Sequence, residues 1–245
     1  MKVIVIIPAA GLGTRMAAPA KPGKRPGPSK QFAEISGVPI LILTLRKIAV
    51  VEPVKEIYVA LPKGEAEQFR SRLEKESFAK RVHLVEGGEN RQQSVANALA
   101  QVKAETEDVV LVHDAVRPFV DAEIIRNVIA AAQKHGAAVA GVPAVDTVKQ
   151  VERTAEGAIV TATIPRERVV QAQTPQGFRF EVIRKAFDEA LADSFTGTDE
   201  ASLVERAGHE VAVVMGSARN IKITTPADLE LAEFYLSLER RSHRG

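Results

Sequence analysis

The chain has 245 residues, 45% of them hydrophobic and 26% charged, with no cysteine and a formal net charge of +2. That length supports a full core without staples. The missing cysteines exclude a disulfide scaffold, a thiolate metal site and a cysteine nucleophile. The near-neutral charge and the 4% aromatic content, with no Trp, give no pull toward nucleic acid or a membrane surface. No apolar run approaches the roughly 18 residues that a membrane span needs. The apolar stretch after Lys2 is short and runs into a glycine-rich loop, not a cleavage site, so a cytoplasmic protein is expected. The charge is unevenly placed. Residues 1–33 carry Lys2, Arg15, Lys21, Lys24, Arg25 and Lys30 with no acid before Glu34, so this segment is +6 and the rest of the chain is −4.

In chain order, Val3–Ile7 is a continuous β-branched run, the pattern of a strand buried on both faces. Comparable runs follow at Ile57–Leu61, Val82–Val85, Val109–Val112 and Ala137–Val142. Helical periodicity fills the intervals at Ile40–Val50, Glu65–Lys75, Arg91–Val102 and Asp121–Lys134, the last opened by an Asp suited to cap it. This alternation predicts a single α/β domain over residues 1–245, Rossmann-like, with a mostly parallel sheet and helices on both faces. In such sheets the ligand sits beyond the carboxyl ends of the strands. The rhythm breaks near residue 143. Asp146–Glu152 and Ala158–Ile164 flank Thr-Ala-Glu-Gly and alternate without a buried face. They predict a protruding two-stranded β-arm at about 146–165. A lone hairpin is marginal in water, so the arm needs a partner surface: a second copy of the chain is the expected one, and a hairpin folded onto its own domain is the alternative. Helices resume at Phe180–Ala192 and Asp199–Ala207. A last strand is expected at Glu210–Met215, then a helix opened by Thr225-Pro226-Ala227-Asp228 with Leu229, Ala232 and Leu236 on its buried stripe.

Four segments carry the chemistry. The first is Pro8-Ala9-Ala10-Gly11-Leu12-Gly13-Thr14-Arg15-Met16, directly after the first strand. Gly11 and Gly13 let backbone amides approach an anion. A dinucleotide fingerprint wants glycine where Met16 stands, and a P-loop wants Gly-Lys-Ser/Thr, which is absent. Arg15, and Lys30 further on, make the loop a polyphosphate site. Lys21, Lys24 and Arg25, broken by prolines, read as a stiff solvated loop that can steer an anion inward. The second segment is His113-Asp114-Ala115-Val116-Arg117-Pro118 at a strand's carboxyl end. There Asp114 suits a metal or a hydroxyl, Arg117 suits a phosphate, and the two also suit a loop-closing pair; His113 falls within the strand pattern and reads as structural. The third, Gly87-Gly88-Glu89-Asn90-Arg91-Gln92-Gln93-Ser94, opens a helix with a glycine pair that can face a flat base and a serine hydroxyl nearby. The fourth, Asn220-Ile221-Lys222-Ile223-Thr224, holds a lysine within an apolar run, either snorkelling or reaching for an anion.

Together with Asp146-Thr147, Thr174-Pro175-Gln176, Thr198-Asp199-Glu200-Ala201-Ser202 and Ala232-Glu233-Phe234-Tyr235-Leu236, these segments resemble the 2-C-methyl-D-erythritol 4-phosphate cytidylyltransferases of the non-mevalonate isoprenoid pathway, in the family's order and over nearly the whole chain. The resemblance implies CMP transfer from CTP to the polyol phosphate with release of pyrophosphate. It implies CTP over Pro8, Ala9, Ala10, Gly11, Gly13 and Thr14, with cytosine read near Ala9, Ala10, Gly88 and Ser94. It implies Arg15 and Lys30 as the triphosphate clamp and Lys222 beside the acceptor phosphate. It implies Asp114, Arg117, Thr174 and Thr198 around the acceptor, with Thr147 and Arg166 reaching into the neighbouring subunit of a homodimer. The catalytic set is then Arg15, Lys30, Lys222 and Arg166, with Mg²⁺ accompanying CTP and Asp114 the one candidate metal ligand. Two departures stand out: the loop between Met16 and Lys30 is longer than the family's short version, and Arg168 lies close enough to compete with Arg166. Ribitol 5-phosphate is the competing acceptor. A non-catalytic nucleotide-binding regulatory module and a dinucleotide-dependent oxidoreductase are the readings from other classes.

Overall fold

The computed structural model describes residues 1–11 and 30–242. In chain order they form β1 (Val3–Pro8), a two-stranded hairpin of β2 (Glu34–Ile35) and β3 (Val38–Pro39), α1 (Ile40–Ala49), β4 (Val54–Leu61), α2 (Ala66–Leu73), β5 (Val82–Glu86), α3 (Arg91–Leu99), β6 (Val109–Val112), α4 (Ala122–His135) and β7 (Ala137–Pro143). There follow β8 (Val148–Thr154), β9 (Gly157–Ile164), β10 (Val170–Arg179), α5 (Phe180–Ala192), α6 (Glu200–Arg206), β11 (Ala212–Met215) and α7 (Pro226–Ser242). Seven strands make one sheet in the order β11-β7-β10-β6-β1-β4-β5. The α/β architecture is therefore present, and each of the five expected runs forms a strand, but Val82–Val85 lies in the edge strand β5, where only Val85 is buried. No helix of the described residues is long and apolar enough to cross a membrane.

The continuous apolar run of β1 has a direct cause. Val3, Val5 and Ile7 enter the core on one face, with Leu41, Ile42 and Leu45 of α1 and Ile125, Val128 and Ile129 of α4. Ile4 and Ile6 enter the other, with Val95 and Leu99 of α3 and Ile183 and Phe187 of α5. A strand covered on both sides has no position left for a polar residue. The α4 end follows the expected cap, Asp121 accepting from the Glu123 N–H at 2.8 Å, and the structure adds a cap at α3, where Asn90 accepts from the Gln93 N–H at 2.8 Å.

Two further elements depart from the sequence reading. Residues 170–179, which no strand pattern predicted, form β10, antiparallel to both β6 and β7 in the middle of the sheet. Val-Gln-Ala-Gln-Thr-Pro-Gln-Gly-Phe-Arg lacks strand composition, and a proline argues against a central strand. Here the pairing with β7 is interrupted between Ala172 and Gln176, which accommodates Pro175. Gly177 allows α4 to sit close, since a Cβ there would lie 2.7 Å from Val128 Cγ1. The last strand is also shorter than expected and forms the sheet's edge, beside β7.

β8 and β9 pair only with each other, and every residue of β9 is exposed. The expected arm is thus a separate hairpin, its register slipping between Gln150 and Val151. It presents Val151, Ile159, Val160 and Ile164 to solvent.

Ile6 is fully buried beneath α3 and α5. Ile6→Ala is expected to cost about 2–5 kcal/mol, read as a lower urea midpoint at unchanged slope. A loss below about 0.5 kcal/mol, typical of surface substitutions, would contradict this packing.

Candidate active site

Two clefts open at the carboxyl ends of the central strands. The first lies where β1 ends. Pro8, Ala9, Ala10 and Gly11 leave the sheet there, and the Ala9 N–H continues the pairing to the Ala60 carbonyl at 2.8 Å. Ala10 packs against the glycine pair after β5: a Cβ on Gly87 would come within 2.2 Å of Ala10 Cβ. Only glycine lets these two loops meet. The Gly88 N–H donates to Ser94 Oγ at 3.0 Å, and the Ser94 hydroxyl donates to the Asn90 carbonyl at 2.8 Å. Ser94 is buried, so its clearest work is to fix the Gly88 backbone. Ala10, Gly87 and Gly88 border a cleft of about 480 Å³ with Pro62, Glu89 and Gln93. Gly13, Thr14 and Arg15 lie outside the described residues, as does the side chain of Lys30, whose backbone opens a short 3₁₀ turn to Phe32.

The second cleft, of about 210 Å³, is built around Asp114, just past β6. Its Oδ2 is 2.9 Å from Lys222 Nζ and 3.2 Å from Arg117 Nε, and its Oδ1 is 3.4 Å from Arg91 Nε. Burial alone would raise the Asp114 pKa, but Lys222, Arg91 and Arg117 together hold it far below the usual carboxylate range. Arg91 is also gripped from behind by Glu200 of α6, at 2.6 and 2.7 Å. Burial keeps the Glu200 pKa raised, with Arg91 offsetting only part of that cost. The Arg117 Nη1 donates to the Asn220 carbonyl at 2.6 Å. The Asn220 amide in turn donates to the Thr174 carbonyl at 2.8 Å and to Gln173 Oε1 at 3.2 Å. The Ile223 N–H reaches the Val116 carbonyl at 3.0 Å. These bonds lock the segment carrying Lys222 onto β10 and onto the segment carrying Asp114. Thr198 lines the same cleft, and Asp199 beside it caps α6 while accepting from Gln176 Nε2 at 2.7 Å.

The structure therefore brings Asp114, Arg117, Thr174, Thr198 and Lys222 together. Thr147 and Arg166 line neither cleft; both are exposed, and Arg166 Nη1 donates to the Val145 carbonyl at 2.8 Å beside the arm. Asp114 fits a metal poorly, because both its oxygens already face cations. Among the described residues no three His, Asp or Glu side chains gather into a metal-binding group. Arg91, Glu200, Gln176 and Asn220 received no role from the sequence. One signal was available: Glu200 shares a short helix with the buried Ala201, Leu203 and Val204, and a carboxylate in a buried stripe needs a partner.

A family model described as 2-C-methyl-D-erythritol 4-phosphate cytidylyltransferase (IspD) matches residues 3–238. A protein of that name from Acidobacterium capsulatum is 58% identical over 244 residues, covering 100% of both chains. One from Solibacter usitatus is 51% identical over 98% of this chain and 97% of its own. The crystal structure of 4-diphosphocytidyl-2C-methyl-D-erythritol synthase from Anaerococcus prevotii superposes with a TM-score of 0.80 at 32% identity, over 96% of each chain.

Asp114→Asn removes the counter-charge of three clustered cations and is expected to cost about 3–5 kcal/mol at pH 7. The folded pKa lies below the unfolded one. The wild-type advantage is then complete above the ordinary carboxylate range of about 4 and is lost as pH falls toward the folded value. Urea unfolding of both proteins from pH 7 to pH 3 reads this. A gap that stays constant as pH falls would contradict the ion-pair assignment.

Proposed function

The chain belongs to the 2-C-methyl-D-erythritol 4-phosphate cytidylyltransferase family, and on that premise we propose how its two clefts divide the reaction. The enzyme transfers CMP from CTP to 2-C-methyl-D-erythritol 4-phosphate, giving 4-diphosphocytidyl-2-C-methyl-D-erythritol and pyrophosphate, a step of isoprenoid precursor synthesis. The observation that carries the division is the meeting of Lys222, Arg91 and Arg117 on one buried carboxylate. Such a cluster suits an anionic polyol, with cations for the phosphate and Asp114 for a hydroxyl. The cleft bordered by Ala10, Gly87 and Gly88 suits the cytosine of CTP, because residues this small let a flat base approach the backbone.

The attacking group is a phosphate oxygen. Its second pKa is about 6, so it is largely ionised at neutral pH, and no strong general base is required. The new bond forms between that oxygen and the α-phosphorus of CTP while the bond to the β-phosphate oxygen breaks, and pyrophosphate leaves with the electron pair. The obstacle is bringing one anion onto another. Catalysis therefore rests on charge neutralisation and in-line positioning. Lys222, from this cleft, and Arg15 and Lys30, from the first loop, are assigned to that task. Mg²⁺ belongs to the proposal as a companion of CTP, held by the nucleotide's own phosphates. It would supply further charge neutralisation when bound, and the described side chains offer it no acidic cluster.

The arm supports a second element of the proposal. A hairpin with four exposed apolar side chains and, among the described residues, no strand pairing to the main sheet suits burial against a second copy of the chain. In that homodimer Thr147 and Arg166 would serve the partner's acceptor cleft. The proposed compartment is the cytoplasm, in keeping with a cysteine-free sequence and with the absence, among the described residues, of a helix able to span a membrane.

Pyrophosphate release assayed with CTP and each acceptor alone tests the activity. Turnover is expected with 2-C-methyl-D-erythritol 4-phosphate and to exceed that with ribitol 5-phosphate; a preference for ribitol 5-phosphate would overturn the acceptor assignment. Deleting residues 147–163 is expected to yield a folded monomer with poor activity. A fully active monomer by light scattering and assay would refute the shared site.

A further inference from the structure

His113 lies against the acceptor cleft without entering it. It is buried, and among the described residues each ring nitrogen has one hydrogen-bond partner: Nε2 is 3.1 Å from the Arg117 carbonyl oxygen, and Nδ1 is 3.1 Å from Thr174 Oγ1. A carbonyl oxygen only accepts, so the hydrogen of the first bond sits on Nε2. Burial keeps the ring neutral, its pKa pushed down to about 4; the bond to the Arg117 carbonyl and Asp114 oppose that shift, while the Arg117 and Arg91 cations add to it. A neutral imidazole has one N–H, so Nδ1 is an acceptor, and the hydrogen between it and Thr174 belongs to the threonine.

The threonine hydroxyl is then constrained. It has one hydrogen to give and two lone pairs. The hydrogen goes to His113 Nδ1. One lone pair accepts the Asp114 N–H at 3.0 Å. A single lone pair is left, on a side chain that lines the cleft with Arg91, Arg117 and Lys222. Thr198 lines the same cleft, and among the described residues its hydroxyl has no such tie.

We propose that His113 is a positioning residue that sets the polarity of Thr174, so that toward the acceptor Thr174 only accepts a hydrogen bond and therefore recognises the proton of a polyol hydroxyl and not a phosphate oxygen. The proposal rests on the cytidylyl-transfer reading. It divides the acceptor's recognition in two: cations take the phosphate, and an acceptor-only oxygen selects the hydroxyl-bearing carbon chain. A site that demands a donor rejects an analogue that lacks one more strongly than an apolar pocket rejects a missing methylene.

The test uses fluorine, which accepts weakly and cannot donate. Steady-state kinetics are measured for the parent acceptor, each singly deoxygenated analogue and each matching deoxyfluoro analogue, with the wild type and with Thr174→Val. The hydroxyl that meets Thr174 is the one whose removal lowers kcat/KM by about tenfold or more in the wild type but little in Thr174→Val. At that position fluorine is expected to lose as much as hydrogen. Recovery by fluorine to within about threefold of the parent would show that Thr174 donates, and would overturn the proposal. The lack of any hydroxyl whose loss Thr174→Val suppresses would overturn it equally. His113→Leu frees the Thr174 hydrogen, so there fluorine is expected to outperform hydrogen; equal losses in a folded His113→Leu would count against it. The wild-type series decides the matter even where that variant does not fold. Failure of the wild type to turn over the parent acceptor would instead remove the underlying reading.

Discussion

The buried carboxylate of Asp114 is the constraint on which the larger part of the charged cleft around it depends. Three cations placed within one small cleft would repel one another, and a lone buried carboxylate would protonate. Together they are stable, and each holds the others in place. Arg91 arrives from the start of α3, Arg117 from the segment after β6, and Lys222 from the segment before α7. Parts of the chain more than a hundred residues apart are thus drawn to one point by charge. Glu200 extends the same logic outward by neutralising the far side of Arg91. A cluster of this kind is a weak source of net stability, since desolvation offsets much of the attraction. Its consequence is geometric: positive groups stand ready around a space sized for a small anion.

The neutral hydrogen bonds behind this cluster give it orientation. β10 runs against its neighbours, and its buried polar residues therefore face the segments that carry charge. Thr174 receives the Asp114 N–H and gives its hydrogen to His113, while Asn220 ties the Thr174 carbonyl to the Lys222 segment. Buried polar groups of this sort are tolerated where they find partners; among the described residues Asn220 Oδ1 is buried without one. At the cleft beside Ala10 the means are different. There the close approach of Ala10 to Gly87 depends on absent side chains, and Ala10, Gly87 and Gly88 border the cleft.

Most of the sheet was legible because its strands obey simple patterning. β1, with five consecutive buried residues, can only be a strand covered on both faces. The arm was legible for the opposite reason, an alternating segment with no face to bury. β10 was not legible. Its Gln173, Thr174 and Gln176 line the Asp114 cleft and its Gly177 lets α4 pack close, so tertiary contact outweighed local propensity. The glycine loop, Asp114, Arg117 and Lys222 were visible as motifs at strand ends. The roles of Arg91, Glu200 and Asn220 were not, because they act through partners 23, 109 and 46 residues away in sequence, and spacing along the chain carries no trace of such pairs. His113 reads as structural from its place in the strand pattern. Its burial and fixed hydrogen bonds agree with that, while its contact with Thr174 ties it to the cleft.

The proposed reaction places the acceptor in the cleft organised by Asp114. The most direct measurement is a crystal structure of the enzyme with its reaction product, 4-diphosphocytidyl-2-C-methyl-D-erythritol. The account predicts the polyol hydroxyls within hydrogen-bond distance of Asp114 and Thr174, a phosphate on Lys222, and the cytosine against Ala10 and Gly88. A polyol lying outside that cleft, with Asp114 and its three cations undisturbed and untouched by the ligand, would contradict it.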